Sequence, residues 1–194
     1  DGVAGDAAGV LEDYAQTAEG WLTLSMVSGD PRWYDRAIDL LDVALDRFGD
    51  GRGGFFDTAS DAEKLVRRPQ EWTDNATPCG QASLAGALLT SVALGGEMRH
   101  RAAAEAVLAG ATGLARKAPR FAGWWLAVAE AWHDGPREVA VVGEEGPERD
   151  ALVHAAWSWP APGRVVAVGE PGARGVPLLA GYLSRIGPWL QGLG

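Results

Sequence analysis

The chain has 194 residues, of which 47% are hydrophobic, a proportion that suits a globular core and argues against disorder. Its formal net charge of -9 opposes binding to phosphate backbones and anionic lipids, so we expect no nucleic-acid partner and no membrane partner. A single cysteine, Cys79, excludes an internal disulfide and any multi-cysteine metal site, and indicates a cytoplasmic location. The first residues lack the features of a signal peptide, and because the chain starts at Asp1 rather than Met, we expect a processed or excised piece of a larger protein.

The first segment predicts a helical hairpin. Apolar residues recur every three to four positions from Val10 to Ser28, which is typical of a helix with one buried face. Gly29 closes this helix, Asp30 supplies an N-cap, and Pro31 fits the first position of a second helix that ends at Phe48. A short turn between two such helices indicates an antiparallel pair.

The segment Gly49 to Thr77 breaks the helical pattern. Its glycines around residue 53 and a short extended piece at Leu65–Arg68 predict either a small β-hairpin or a long structured loop. A loop of this length in a compact domain is more often functional than idle.

Three further helices follow the loop. Thr77-Pro78 predicts a helix start and Gly95-Gly96 its end. A return helix is predicted over Glu97–Lys117 and a fifth helix over Pro119–His133. The pattern Gly, acid, any residue, Arg, aromatic ring occurs at residues 29–33 and again at 96–100, which indicates a repeated hairpin unit.

The pattern changes after residue 135. Short β-branched runs at Val139–Val142 and Val165–Val168 flank a helix candidate at Pro147–Trp157, which predicts a parallel β-α-β unit. The turn at 143–146 lacks a complete phosphate-loop pattern and carries two glutamates, so we expect no nucleotide and no other cofactor. We therefore predict a mainly α fold: helical hairpins in 1–135, a small α/β appendage in 136–175, and an unassigned tail in 176–194.

The long loop is the richest source of chemical groups. Two carboxylates beside an aromatic platform suit sugar chemistry, with one acid, one base and a ring that stacks on the ligand. We therefore predict Asp57 and Asp74 as catalytic acid and base. The alternative is that such residues cap helices, since Asp74 and Asn75 directly precede a helix start.

Further residues are predicted to bind a substrate at one end of the helical array, where connecting loops gather. These are Asp13, Tyr14, Arg68, Trp72 and Asn75. The three histidines form no ligand spacing, so we expect no metal. Cys79 lies in the first turn of a predicted helix, where a thiolate is favoured, with a packed cysteine as the alternative. The predicted core tryptophans are Trp21, Trp124, Trp125 and Trp132.

Four segments carry a resemblance to a known family. Residues 11–15, 29–33, 53–61 and 74–78 are similar to the thioredoxin-domain-containing proteins of the spermatogenesis-associated protein 20 type, over about Val10 to Val168. The resemblance implies the last hairpins of an (α/α)6 toroid like that of six-hairpin glycosidases and N-acylglucosamine 2-epimerases. It also implies an upstream thioredoxin-like domain, so any dithiol activity would lie outside this chain. None of the three histidines lies in the matching loop motif, which disfavours the histidine acid–base mechanism of the epimerase-like relatives.

These observations leave three functional hypotheses. The first is a substrate-binding or structural lobe of an incomplete toroid, for a small sugar-like ligand. The second is a carbohydrate-active enzyme, a hydrolase or a sugar isomerase, and the third is a redox-linked interaction scaffold. With about five helices before Gly135, we expect the end hairpins to pack on the missing N-terminal part or to self-associate. The apolar residues expected on those open faces are Leu11, Trp21, Leu22, Phe121, Trp124 and Trp125.

Overall fold

The computed structural model describes residues 8–159, 161–170 and Leu178, and most of the predicted tail lies outside these residues. The described part is mainly helical with a two-stranded parallel sheet, as predicted. None of its helices is long and apolar enough to cross a membrane. The elements in chain order are α1 Leu11–Ser28, α2 Pro31–Phe48, α3 Gly80–Ala93, α4 Met98–Lys117, a 3-10 turn Pro119–Phe121, α5 Gly123–Asp134, β1 Arg137–Val142, α6 Pro147–Trp157 and β2 Arg164–Gly169.

The first hairpin forms as its turn residues predict. Gly29 closes α1 in the left-handed conformation, with φ of 68°, and Asp30 accepts a hydrogen bond from the Arg32 amide at 3.0 Å. With only two residues between them, the packed helices α1 and α2 run antiparallel. The hairpin prediction is confirmed for this pair.

Helix α3 lies at the centre of the array. Every residue of α3 except Thr90 and Val92 is buried, because α1, α4, α5 and β2 all pack against it. Its many Ala, Gly and Ser residues let these neighbours approach closely. A Cβ added at Gly80 would lie 3.2 Å from Leu11 Cβ, so α1 and α3 start side by side and run parallel.

The long loop is irregular and contains no β-strand over residues 49–77, so the structured-loop alternative describes most of it. Its only ladder contact in the described residues is an isolated bridge between Gly49 and Phe55, and residues 65–68 form no strand. The Asp50 carboxylate accepts from the Arg52 amide at 2.7 Å and the Gly54 amide at 3.0 Å. A side chain therefore satisfies these two donors, while the Asp50 amide donates to the Gly54 carbonyl at 2.9 Å and the Phe56 amide to the Phe48 carbonyl at 2.8 Å.

Two helix starts differ from the predicted ones. Helix α3 begins at Gly80 rather than at Thr77-Pro78, and α5 begins at Gly123 after the 3-10 turn rather than at Pro119. Both starts follow from one side chain, because the carboxylate of Asp74 caps the two helices together, as described below.

The C-terminal appendage forms the predicted β-α-β unit. Strands β1 and β2 pair in parallel, with Arg137 opposite Arg164 and Val142 opposite Gly169. Strand β2 packs on α1 and α3, and the Val166 amide lies 3.4 Å from Met26 Sδ. The core is therefore continuous from the hairpins into the appendage.

The aromatic and apolar predictions need correction. Of the four tryptophans predicted in the core, only Trp125 is fully buried, whereas Trp124 is 41% exposed and the other two are half-buried. Leu11 and Leu22 have no exposed surface, because α2 and α3 cover both sides of α1. These two leucines and Trp125 therefore offer no open face to a partner, contrary to expectation.

Candidate functional site

A pocket of about 280 Å³ lies where the N-terminal ends of α1 and α3 meet the long loop. The backbone of Asp57 holds the loop here, since its carbonyl accepts from the Leu11 amide and its amide donates to the Pro69 carbonyl, both at 2.9 Å. Three carboxylates and several polar side chains line the pocket. Its lining residues are Val10, Glu12, Asp57, Glu71, Thr73, Asn75, Thr77, Pro78, Cys79 and Gly80.

Asp57 and Glu71 have opposite electrostatic environments within this pocket. Burial raises the pKa of Asp57, the charges of Glu71 and Glu12 raise it further, and the Glu71 amide offsets part of the rise. The Thr73 hydroxyl and amide donate to the carboxylate of Glu71 and lower its pKa. The two environments therefore move the pKa values of these carboxyls apart, that of Asp57 upward and that of Glu71 downward.

Asp74, the second predicted catalytic carboxylate, lies outside the pocket lining. Its Oδ1 accepts from the Cys79 amide at 3.0 Å and its Oδ2 from the Trp124 amide at 2.8 Å. Asp74 is buried, and its two oxygens cap the starts of α3 and α5. This geometry matches the capping alternative. The catalytic role of Asp74 stays a prediction.

Asp13 and Tyr14 organise the start of α1. Asp13 Oδ2 accepts from the Val10 amide at 2.9 Å, which closes the first turn of the helix. The Tyr14 ring packs against Phe48, with centroids 5.2 Å apart. Both residues lie next to the pocket in sequence, but neither is among its lining residues.

Trp72 and Arg68 hold the loop against the helices. The Trp72 ring stacks on Trp125 at 5.7 Å with an interplanar angle of 19°, and the Trp72 carbonyl accepts from Trp125 Nε1. A Cβ at Gly110 would lie 2.6 Å from the Trp72 ring, so α4 packs closely against it as well. The guanidinium of Arg68 donates to the Thr58 carbonyl and lies over the Phe56 ring. The predicted ligand contacts of Trp72 and Arg68 stay predictions.

Asn75 and Cys79 both line the pocket. Asn75 is exposed at the pocket. Its backbone amide donates to the Thr77 carbonyl at 3.0 Å. Burial raises the pKa of the Cys79 thiol to about 11, so the sulfur is protonated at neutral pH. The thiolate alternative for Cys79 therefore loses its physical basis, and the packed alternative fits.

The pocket thus joins two of the seven predicted site residues, Asp57 and Asn75, with two acids that sequence reasoning did not choose. Glu12 is adjacent to Asp13 at the start of α1, and Glu71 is adjacent to Trp72 in the loop. The signal available in the sequence was adjacency: each of these two acids directly precedes a predicted site residue, and neighbouring side chains point in different directions from the backbone. The periodicity of the sequence does not say which of two neighbours points inward in an irregular loop.

A buried Ser–His–Asp line was also missed. His100 Nδ1 lies 2.8 Å from Ser91 Oγ, and His100 Nε2 lies 2.8 Å from Asp42 Oδ1. Burial alone would raise the pKa of Asp42, but hydrogen bonds from His100 and Arg99 outweigh it and lower the pKa. Because Ser91 and His100 have no exposed surface, this line ties α2, α3 and α4 together and offers no accessible nucleophile.

Within the described residues, no group of three or more His, Cys, Asp or Glu side chains is arranged to hold a metal ion. Comparison with protein-family models and with curated proteins gives no match. The resemblance to the spermatogenesis-associated protein 20 type therefore stays a prediction from the motifs alone.

Proposed function

We propose that this chain is the substrate-binding lobe of a larger (α/α) toroid protein, and that the pocket at the start of α1 and α3 takes a sugar-like ligand. The observation that carries the proposal is the composition of this 280 Å³ pocket, in which Glu12, Asp57 and Glu71 lie beside Thr73, Asn75 and Thr77. Hydroxyl groups of a sugar donate hydrogen bonds to carboxylates and exchange them with threonine and asparagine side chains.

The helical arrangement supports the toroid part of the proposal. Helices α1 and α3 run parallel and each is followed by a return helix, so the pocket lies at the end where successive hairpins begin. Loops at such an end commonly carry the ligand-binding residues of a repeated architecture.

Binding is tested by saturation-transfer NMR on the full chain with glucose, mannose and N-acetylglucosamine. We expect at least one sugar to bind, and Asp57→Asn or Glu71→Gln to weaken it about tenfold, the loss of one good hydrogen bond. Glu63→Gln is the matched control, because Glu63 is an exposed loop carboxylate that does not line the pocket. Absence of binding at millimolar sugar, or equal binding by all variants, would overturn the proposal.

A second candidate is glycoside hydrolysis in the same pocket, favoured by the opposite pKa directions of Asp57 and Glu71. A pair whose environments separate its pKa values is suited to acid and base roles. Asp57 would donate its proton to the departing glycosidic oxygen, and Glu71 would take a proton from the water that attacks the anomeric carbon. In this proposal Glu71 takes the role predicted for Asp74, because Glu71 lines the pocket and Asp74 does not.

The hydrolase candidate is tested with nitrophenyl glycosides across pH. Activity should fall as pH rises through the pKa of Asp57, and should fall as pH drops through the pKa of Glu71. Asp57→Asn should lower the rate by about 100-fold or more while sugar binding is only weakened. If a sugar binds but no nitrophenol is released, the binding-lobe proposal is retained and the hydrolase candidate is rejected.

The redox-linked scaffold stays a prediction with less support. The thiol of Cys79 is protonated at neutral pH, so this residue supplies no ready thiolate for exchange with a partner.

A further inference from the structure

A second cavity, of about 370 Å³, lies between the helical array and the segment that leads into β2. Residues of α1, α3 and α5 form one side of it, and Trp157 and Arg164 belong to the appendage side. Most of its wall is apolar, and only Glu19 and Arg164 are ionisable. It shares no lining residue with the pocket of the proposed function.

The carboxyl group of Glu19 is only partly satisfied by hydrogen-bond donors of the described residues. The residue as a whole is half-buried, but Glu19 Oε2 has almost no exposed surface and no hydrogen-bond partner among the described residues. Glu19 Oε1 lies 3.2 Å from Thr90 Oγ1, which also lies 3.1 Å from the Gly86 carbonyl. The Thr90 hydroxyl has one proton for these two acceptors, so the described residues give Glu19 at most one hydrogen bond.

An enclosed carboxylate with so few donors is costly to the folded protein. Burial raises the pKa of Glu19, and the hydrogen bond from Thr90 offsets only part of that rise. An apolar residue of the same size would avoid this cost, so the carboxyl group needs a role beyond packing.

Arg164 does not neutralise Glu19. The Arg164 guanidinium lies over the Trp157 ring, 4.8 Å from its centroid, and donates to the Ala156 carbonyl at 3.0 Å. Within the described residues no ion pair joins Arg164 to Glu19. Within the part of the chain that the structure describes, the Glu19 carboxylate therefore has no ion-pair partner.

We propose that this cavity binds a small organic ammonium ion with an apolar body. The ammonium group donates to Glu19 and supplies the missing counter-charge, and the body packs against Val128 and Trp124. The face of an indole also attracts a cation. The terminal torsion of a glutamate is soft, so the carboxylate can turn toward a donor in the cavity.

The proposal is tested on the full chain with three probes of similar shape: 2-phenylethylamine, 2-phenylethanol and 3-phenylpropionate. Binding is followed through the NMR resonances of the Trp124 indole and the Thr90 amide, which belong to cavity residues. We expect the amine to bind at least tenfold more tightly than the alcohol or the anion. Tighter binding of 3-phenylpropionate would instead assign recognition to Arg164, whose Nε also lacks a partner, and would overturn the proposal.

Variants distinguish recognition of the ammonium group by Glu19 from non-specific binding of the amine. Glu19→Gln keeps the shape of the side chain and should weaken amine binding at least tenfold, while Glu130→Gln, an exposed carboxylate on α5, should leave it unchanged. Asp57→Asn should also leave it unchanged, because the two cavities share no residue. Unfolding midpoints near that of the unaltered chain show that each variant is folded. Equal amine binding by Glu19→Gln, or no resonance shift at millimolar amine, would reject the site.

Discussion

The two regions that cover the helical array differ in how they treat buried polar groups. Where the long loop covers the array, both carboxylate oxygens of Asp74 accept hydrogen bonds from backbone amides. The Gln81 side chain accepts from the Phe55 amide and donates to the Glu71 carbonyl, both at 2.8 Å. These side chains replace the hydrogen bonds that an irregular loop cannot make for itself.

Where the appendage covers the array, charged groups are left incomplete. Among the described residues, the buried atoms Glu19 Oε2, Arg149 Nε and Arg164 Nε have no hydrogen-bond partner, whereas the unpaired groups elsewhere are the hydroxyls of Thr58 and Ser83. Orphaned charged groups are the more costly kind. The loop's buried polar residues are therefore largely structural, whereas the unpartnered atoms Glu19 Oε2 and Arg164 Nε belong to residues that line the cavity between the array and the appendage.

The largest expected effect is the loss of the loop's aromatic anchor. Trp125→Ala removes a fully buried ring and the donor to the Trp72 carbonyl, so it should lower the free energy of unfolding by about 3–5 kcal/mol, measured in urea. Trp159→Ala is the control: its ring is 78% exposed in the appendage, and its effect should stay within about 0.5 kcal/mol. A loss near that of the control would mean that the loop is anchored by other contacts.

Next in size is the double cap. Asp74→Ala leaves the Cys79 and Trp124 amides without an acceptor and should lower the free energy of unfolding by about 2–3 kcal/mol, more than one cap contributes. Amide hydrogen exchange at these two positions should accelerate together. Asn75→Ala, an exposed neighbour, should change the unfolding free energy by less than about 0.5 kcal/mol. Faster exchange at only one of the two amides would contradict a shared cap.

The smallest expected effect concerns Glu19 and is measured through the pH dependence of the free energy of unfolding. The folded-state pKa of Glu19 is raised above its ordinary 4.5, so the folded protein is most favoured when Glu19 is protonated, and it loses stability as pH rises through the folded pKa. Glu19→Gln should therefore raise the free energy of unfolding by roughly 1 kcal/mol at neutral pH. The gain over the unaltered chain should vanish below pH 4.5.

Urea unfolding at several pH values measures this difference. Glu130→Gln provides the comparison, because that carboxylate is exposed and should show no such gain. A Glu19→Gln variant that is less stable at neutral pH would show that the carboxylate is satisfied in solution.

Local signals predicted the elements well where a helix carries its own start and stop. The N-cap and proline at residues 30–31 and the glycine at 29 lie within the segment they define, and the first hairpin formed as predicted. The start of α3 was misplaced because its cap, Asp74, lies five residues before Cys79 rather than next to the helix. The start of α5 was missed because the same side chain reaches it from 50 residues away.

The sequence by itself determined the helical hairpins, their turns and the β-α-β appendage, because periodicity and capping act between residues a few positions apart. Tertiary structure decided which carboxylates meet. Glu12, Asp57 and Glu71 share one pocket only because the loop folds back over the ends of α1 and α3. Among the described residues, Glu19 Oε2 has no donor although Oε1 accepts from Thr90, and this follows from how α1, α3 and the appendage pack around the cavity. Contacts between residues far apart in the chain depend on how elements pack, and no local pattern records that.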